Sequence, residues 1–397
     1  MANDVVVMQE SEIRSNFRVL DTRWRSAETF AILPSNLPVT EEWLDDALHH
    51  LPQEFYTKHF LLLTSGSTGQ PKLVVANRER AELLAEVIHR LQDGEATRET
   101  ICCLPLSYSY SFVNQWLWSR ILERRLILTD GFMRPGELKV ALDAACDAMI
   151  CMVGAQVPLL RSFFGDRTFP GIIRLHFAGG RFPQEQLDPL RQIFPNAKIF
   201  NNYGCAEAMP RLTIRRAEDA DVAANIGRPV SGVELKTGEE DQLLFRSPFR
   251  AVGFIENSGF RAIADDEWVE TGDLGRAADN GMWTLLGRKS EVFKRFGEKI
   301  SLPAIEAVVQ RVWHGELALY RETDSMGENG HIMVVAPHPE KRQLKAIMME
   351  LRRDFSRPHW PLRVESLERL PRLPNDKVDA LALKERKDVI VHWSQRY

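Results

Sequence analysis

Residues 61–72 read Leu-Leu-Leu-Thr-Ser-Gly-Ser-Thr-Gly-Gln-Pro-Lys, and this run constrains the chain more than any other. Its apolar start predicts a buried strand over residues 60–63, and Leu73-Val74-Val75 predicts the return strand. Between them the glycines allow a tight turn whose amide N–H groups face an anion. Thr64, Ser65, Ser67 and Thr68 add hydroxyl donors, Gly66 and Gly69 supply the turn, and Lys72 adds positive charge. The combination suits a polyphosphate whose leaving group must be held as it departs. It differs from the P-loop of NTPases, because Gly-Lys-Ser/Thr is absent and the lysine follows a proline.

The surroundings predict α/β layering. Residues 78–91 form a helix candidate with Leu83, Leu84, Val87, Ile88 and Leu91 as its apolar stripe. Short strands are expected at 101–104, 126–128, 149–153, 172–177 and 199–203, separated by helical patterns. Thr40-Glu41-Glu42-Trp43 reads as a capped helix start. From Gly232 to Trp283, short apolar runs broken by Gly, Pro, Asp and Asn read as a β-rich unit. Beyond it, a helix over 302–311, a strand over 331–336 and a helix over 340–353 make a small α+β domain.

A chain of 397 residues is long enough for two or more domains. Its 44% hydrophobic and 27% charged residues are those of a soluble globular protein, and a net charge of -4 points away from nucleic acid. The basic run at 341–345 reads as a solvated helix face. The five cysteines lack metal-ligand spacing and suit a reducing compartment, with Cys102-Cys103 in a buried strand. Glu10, Glu12 and Asp21 interrupt the start, which does not read as a signal peptide. Without a run long enough to span a bilayer, the expected location is cytoplasmic.

Further segments follow the loop in a fixed order. They are Asn202-Tyr203-Gly204-Cys205-Ala206-Glu207, Thr271-Gly272-Asp273-Leu274, Gly287-Arg288, the run from Lys294 through Gly297 to Ile300, and that from Leu373 through Lys377 to Asp379. With the phosphate loop, this set resembles the adenylate-forming superfamily of acyl-CoA synthetases, aryl acid ligases and peptide-synthetase adenylation domains. The resemblance runs from about residue 60 to 380. It implies an adenylate-forming fold, with a layered α/β core in residues 1–287, a hinge at 288–290 and a mobile α+β domain in 291–397. Only sixty residues precede Leu61, so the N-terminal region is abbreviated relative to the family.

The resemblance also implies roles. The loop residues Thr64 to Gly69 and Lys72 hold ATP phosphates, Glu207 holds Mg²⁺, Tyr203 and Gly204 approach the adenine, and Gly180 lies near the nucleotide or acyl group. Asp273 accepts from the ribose hydroxyls, an acceptor-only carboxylate being suited to two donors, and Arg288 approaches the same sugar. Lys377 bridges the substrate carboxylate and the α-phosphate. Thr64, Glu207 and Lys377 are the catalytic candidates. Gly297 and Lys294 line the tunnel for the phosphopantetheine arm of CoA or of an acyl carrier protein. Departures stand at Ala206, where threonine is usual, at Asp376, where glycine is usual, and at the hinge residue Ser290.

Tyr108, Ser109 and Gly179 fall where the family builds its acid pocket. An acid at position 109 would pair with an α-ammonium. Serine stands there instead, which disfavours an amino acid and leaves an aryl acid or a modified fatty acid. The leading expectation is an ATP-dependent acid–thiol ligase of specialised metabolism, with a homodimer to cover the shortened sheet. The alternatives are an enzyme that uses a preformed acyl adenylate or thioester, and a catalytically weak nucleotide-binding partner of a synthase complex.

Overall fold

The computed structural model describes residues 5–35, 39–65, 71–92, 97–180, 182–219, 224–256, 259–372 and 378–395. They divide into two compact units. The first reaches Thr271 and takes in Arg276–Leu285, and the second takes Gly272–Gly275 and everything from Leu286.

The first unit holds a six-stranded sheet that begins with β1 (Val6–Gln9), β2 (Phe30–Leu33), β3 (His59–Ser65) and β4 (Pro71–Asn77) and ends with the strands Gly253–Glu256 and Gly259–Ala262. β1, β2 and β3 run parallel, and β3 folds back on β4 with Leu61 opposite Val75 and Thr64 opposite Lys72. Side chains alternate between two cores, as a strand's period of two requires. Phe60, Leu62, Val74 and Ala76 pack against Trp24, Phe30 and Phe112, while Leu61, Leu63, Leu73 and Val75 pack against Leu44 and Leu48 of the helix Glu41–His49. Thr40 caps that helix by accepting from the Trp43 amide.

An eleven-stranded sheet carries β5 (Glu99–Cys102), β6 (Arg125–Leu128), β7 (Ala148–Val153), β8 (Ile172–Ala178), β9 (Lys198–Tyr203), β10 (Thr213–Arg216) and β11 (Asn225–Pro229). One end of it is parallel, in the order β6-β5-β7-β8-β9 with β6 at the edge. Within it β7 is buried on both faces and reads as a continuous apolar run, whereas the edge strand β6 is only half-buried. Cys102 closes β5, Cys103 follows it, and both are buried.

The helix Arg78–Leu91 forms where expected, capped by Asn77, but with a different buried face. Ala81, Leu84, Ala85, Val87 and Ile88 are inside, while Leu83 and Leu91 are 44% and 47% exposed. Small Ala81 and Ala85 let the helix approach closely, so the contact stripe centres on Leu84 and Ile88 and rotates Leu83 outward. Thr271-Gly272-Asp273 lies in the middle of the strand Val269–Ala277, with Gly272 at φ +77°.

The second unit has a hairpin of Val292–Arg295 and Glu298–Ser301, then the helix Leu302–Val309, two residues shorter than the sequence suggests. A four-stranded sheet follows, in the order Glu316–Thr323, Asn329–Ala336, Arg363–Ser366, Ile390–Ser394, with the helix Lys341–Asp354 packed on it. Lys341, Arg342 and Lys345 lie on that helix's solvent side. No helix among the described residues is long and apolar enough to cross a membrane.

Candidate functional site

The β3–β4 hairpin delivers Thr64 and Lys72 to opposite sides of one turn. Gly66, Ser67, Thr68 and Gly69 lie outside the described residues. The Thr64 hydroxyl donates back to the Lys72 carbonyl at 3.4 Å. Lys72 is only 8% exposed, so its ammonium needs partners. It donates to Glu207 Oε1 and stands 4.3 Å from the Phe254 ring centroid. Two residues singled out 135 positions apart therefore meet as one ion pair.

Glu207 sits on the single turn Ala206–Ala208 that follows β9. The loop is pinned at both ends. The Leu212 amide donates to Tyr203 O at 2.8 Å, and the Ala251 amide donates to Glu207 O at 2.8 Å. Gly204 is required sterically, since a Cβ there would lie 1.8 Å from Pro210 O. Tyr203 is half-buried at the end of β9 against apolar neighbours. Ala206 brings no hydroxyl to this loop.

Tyr108 and Ser109 begin a short helical turn and are both half-buried. The segment before them is anchored by Glu10, which is 4% exposed and accepts from the amides of Leu106 and Ser107. In the sequence Glu10 only argued against a leader. Arg14 in turn pairs with Glu10 at 3.1 Å and with Asp130 at 3.0 Å. Gly179 follows β8 at φ +75°, 3.5 Å from Val153 as measured to a virtual Cβ, and the position of Gly180 is open.

A cluster that sequence reasoning missed lies among these segments. Arg211 is 1% exposed and donates to Asn202 Oδ1 and to Asn114 Oδ1. Asn202 Oδ1 also accepts from Gln92 at 3.4 Å, and Asn202 Nδ2 lies 3.5 Å from His176 Nδ1. Asn114 and Gln115 stand in the π-helix Phe112–Leu117, a geometry that recurs at functional sites. Burial lowers Arg211 to about 10, and burial with nearby arginines holds His176 well below its ordinary value, so His176 is neutral. A neutral His176 that accepts from Asn202 at Nδ1 carries its proton on Nε2. The sequence does not mark this set as a unit: Asn202 opens a run singled out for its neighbours, while Asn114-Gln115, His176 and Arg211 match no motif.

In the second unit, Asp273 is buried and meets Arg288 Nε at 2.8 Å. Lys294 is exposed on its strand, and Phe296-Gly297 form the two-residue hairpin turn at φ +49° and +83°. Lys377 lies outside the described residues. No group of three metal-ligating acids, histidines or cysteines occurs among the described residues. A single carboxylate such as Glu207 nevertheless fits Mg²⁺, which takes one or two carboxylates together with substrate phosphates and water.

The family model described as AMP-binding enzyme matches residues 31–248, more than half of the chain. The 2-hydroxy-7-methoxy-5-methyl-1-naphthoate–CoA ligase of Streptomyces carzinostaticus is 24% identical over 347 residues, covering 82% of this chain and 61% of the ligase. The Delta-poly-L-ornithine synthetase of Acinetobacter baumannii is 25% identical over 357 residues, covering 82% of this chain and 26% of that protein. The chain thus spans less than two thirds of both curated relatives. Among solved structures, O-succinylbenzoate Coenzyme A Synthetase from Bacillus subtilis, in complex with ATP and magnesium ion, superposes with a TM-score of 0.71 at 18% identity. The match covers 96% of this chain and 84% of that one. At that identity the likeness shows the fold, an α/β core followed by a smaller α+β unit.

Proposed function

The chain belongs to the AMP-binding enzyme family, and from that premise we propose that it is an AMP-forming acid–thiol ligase. A carboxylate oxygen attacks the α-phosphorus of ATP, the bond to the bridging oxygen breaks, and pyrophosphate leaves. A thiol then attacks the acyl carbonyl, loses its proton and expels AMP. The acceptor is CoA or the phosphopantetheine of a carrier protein. The acid is an aryl or modified fatty acid rather than an amino acid. The five free cysteines agree with a cytoplasmic setting, and the edge strand β1 with a homodimer.

One observation carries the reading. The Lys72–Glu207 pair joins the phosphate-loop hairpin to the Tyr203–Glu207 loop, so a cation for phosphate and a carboxylate for magnesium occupy one place. Magnesium, when bound, neutralises charge on the phosphates. The protein's own share is alignment and fixed donors. Asp273, oriented by Arg288, is the acceptor for ribose hydroxyls, and Lys377 is the donor to the reacting carboxylate and α-phosphate. Ala206 removes one phosphate donor and Asp376 adds an acid beside Lys377, so these two substitutions support a slower adenylation step.

Acid-dependent ATP–pyrophosphate exchange tests this directly. Lys377→Ala and Glu207→Gln should each depress exchange by at least about 100-fold, the scale of one lost transition-state donor. Thioester formation from a supplied acyl adenylate should survive Lys377→Ala much better. Exchange that persists in Lys377→Ala removes the role given to Lys377. Thioester formation without any exchange in the wild type would favour an enzyme that takes a preformed adenylate.

A further inference from the structure

We propose that the acid activated by this ligase carries a second carboxylate at its far end, received by Arg211. The site presupposes the acid–thiol ligase reading and adds a substrate class to it.

Arg211 is a buried cation whose protein partners are all neutral. Its two acceptors are the amide oxygens of Asn114 and Asn202, and no carboxylate among the described residues pairs with it. An uncompensated buried charge is strongly destabilising, so a fold that keeps one needs an anion from elsewhere. The neighbours demand the same species. Arg211 Nε and Asn114 Nδ2 are buried without a partner. Among the described residues the one unpaired acceptor-only atom beside them is Gln92 Oε1, and the Tyr110 hydroxyl, also unpaired, can donate or accept. An ionised carboxylate is acceptor-only, with room for about four hydrogen bonds.

Position supports an acyl-end role rather than a second nucleotide contact. Asn114 and Gln115 continue the segment of Tyr108 and Ser109. His176 lies on β8, which runs into Gly179. Asn202 immediately precedes Tyr203, and Arg211 closes the loop that holds Glu207, its amide donating to Ala208 O at 3.2 Å. Two segments expected at the acid pocket thus meet, around one guanidinium, the segment expected at the adenine.

The test compares matched acids in ATP–pyrophosphate exchange: adipate against hexanoate, and terephthalate against benzoate. The diacid of a pair should be favoured in kcat/KM by at least about tenfold, as expected when a buried charged donor gains its partner. Arg211→Met should abolish the preference. Asn202→Asp places a carboxylate against Arg211 from within. It should also abolish the preference while raising the melting temperature of the free protein, which keeps the test valid if Arg211→Met does not fold. Equal use of monoacids and diacids, with the ratio unmoved by both variants, overturns the proposal and leaves the ligase reading standing. Calorimetric binding of adipate that disappears in Arg211→Met, with no exchange for any acid in the wild type, does the reverse. It would sustain the anion site and sink the ligase reading.

Discussion

Arg211 in the first unit and Arg295 in the second are both almost completely buried, and the two are compensated in opposite ways. Arg295 in the second unit is 0% exposed, and it donates to Asp324 Oδ2 at 3.0 Å and to Asn329 O at 2.7 Å. Burial works against ionised Asp324, but the amides of Glu328 and Met326 and the Arg295 guanidinium together hold its carboxyl below the usual range. Arg211 in the first unit has neutral amide oxygens alone. A buried cation with its anion supplied in cis is architecture, since nothing further is required of a ligand. Arg211, with no anion among the described residues, is on our proposal a recognition element that depends on what binds. The same residue type, equally buried, thus serves two purposes, and its partners tell them apart.

The contrast breaks most visibly at Asp324. Asp324→Ala leaves Arg295 buried and uncompensated, the state in which Arg211 already exists. The unfolding midpoint of the second unit should fall by at least about 10 °C. Arg295→Met added to that variant should recover most of the loss, because the orphaned charge is gone. Differential scanning calorimetry on the single and double variants checks both steps. A single variant that melts like the wild type would mean that Arg295 needs no anion, and the distinction from Arg211 would collapse.

Much of the architecture was legible from local pattern, and the reason is visible in the β3–β4 hairpin. Alternation of two apolar cores along Phe60–Leu63 and Leu73–Ala76 is written in consecutive residues, as is the strand–glycine–strand order around Thr64. The pairing of Lys72 with Glu207 follows from two motifs, each recognisable alone. The Leu83 and Leu91 assignments failed because helical periodicity does not say which of two adjoining stripes meets small alanines. Arg211 was invisible for a deeper reason. Met-Pro-Arg-Leu contains no pattern, and the absence of a compensating anion is a property of the packed interior, not of any segment. Glu10 shows only its charge in the sequence, whereas in the fold it holds the amides of Leu106 and Ser107, just before the segment expected to build an acid pocket.

The two arginines also differ in what their histidine neighbours do with pH. Burial first, then Arg295 and His359, lower His331 to about 3 in the second unit, and burial, then Arg211, Arg174 and Arg124, lower His176 in the first. A base held below its ordinary value of 6.5 gives stability that is fully present above that value and is lost as pH falls, because only the unfolded chain takes up the proton. For His331 the loss between pH 7 and pH 5 should be about 2 kcal/mol. His331→Leu should flatten that part of the pH–stability curve of the second unit, measured by urea unfolding at each pH. Adipate should flatten the slope of the first unit alone, since a carboxylate on Arg211 removes part of what keeps His176 neutral. Equal flattening in both units would detach His176 from the anion site.

The smallest effect sharpens the comparison at a turn. Gly204 and Gly297 both sit in predicted functional loops, yet for different physical reasons. Gly204 is fixed by collision with Pro210 O, whereas a Cβ at Gly297 meets nothing within 4 Å. What Gly297 supplies is its φ of +83° beside Phe296 at +49°, the left-handed pair that lets Arg295 face Glu298 across a two-residue hairpin. Gly297→Ala should therefore cost only backbone strain, about 1 kcal/mol in denaturant unfolding of the second unit. Gly297→Leu should cost the same, because open space imposes no further penalty on bulk. ATP–pyrophosphate exchange should be unchanged in both. Thioester formation from a preformed adenylate is where they should part, falling far more in Gly297→Leu than in Gly297→Ala, because only a large side chain obstructs a pantetheine arm. If the two variants lose thiol transfer in the same small proportion as they lose stability, Gly297 serves the turn alone and the tunnel must be lined by other residues.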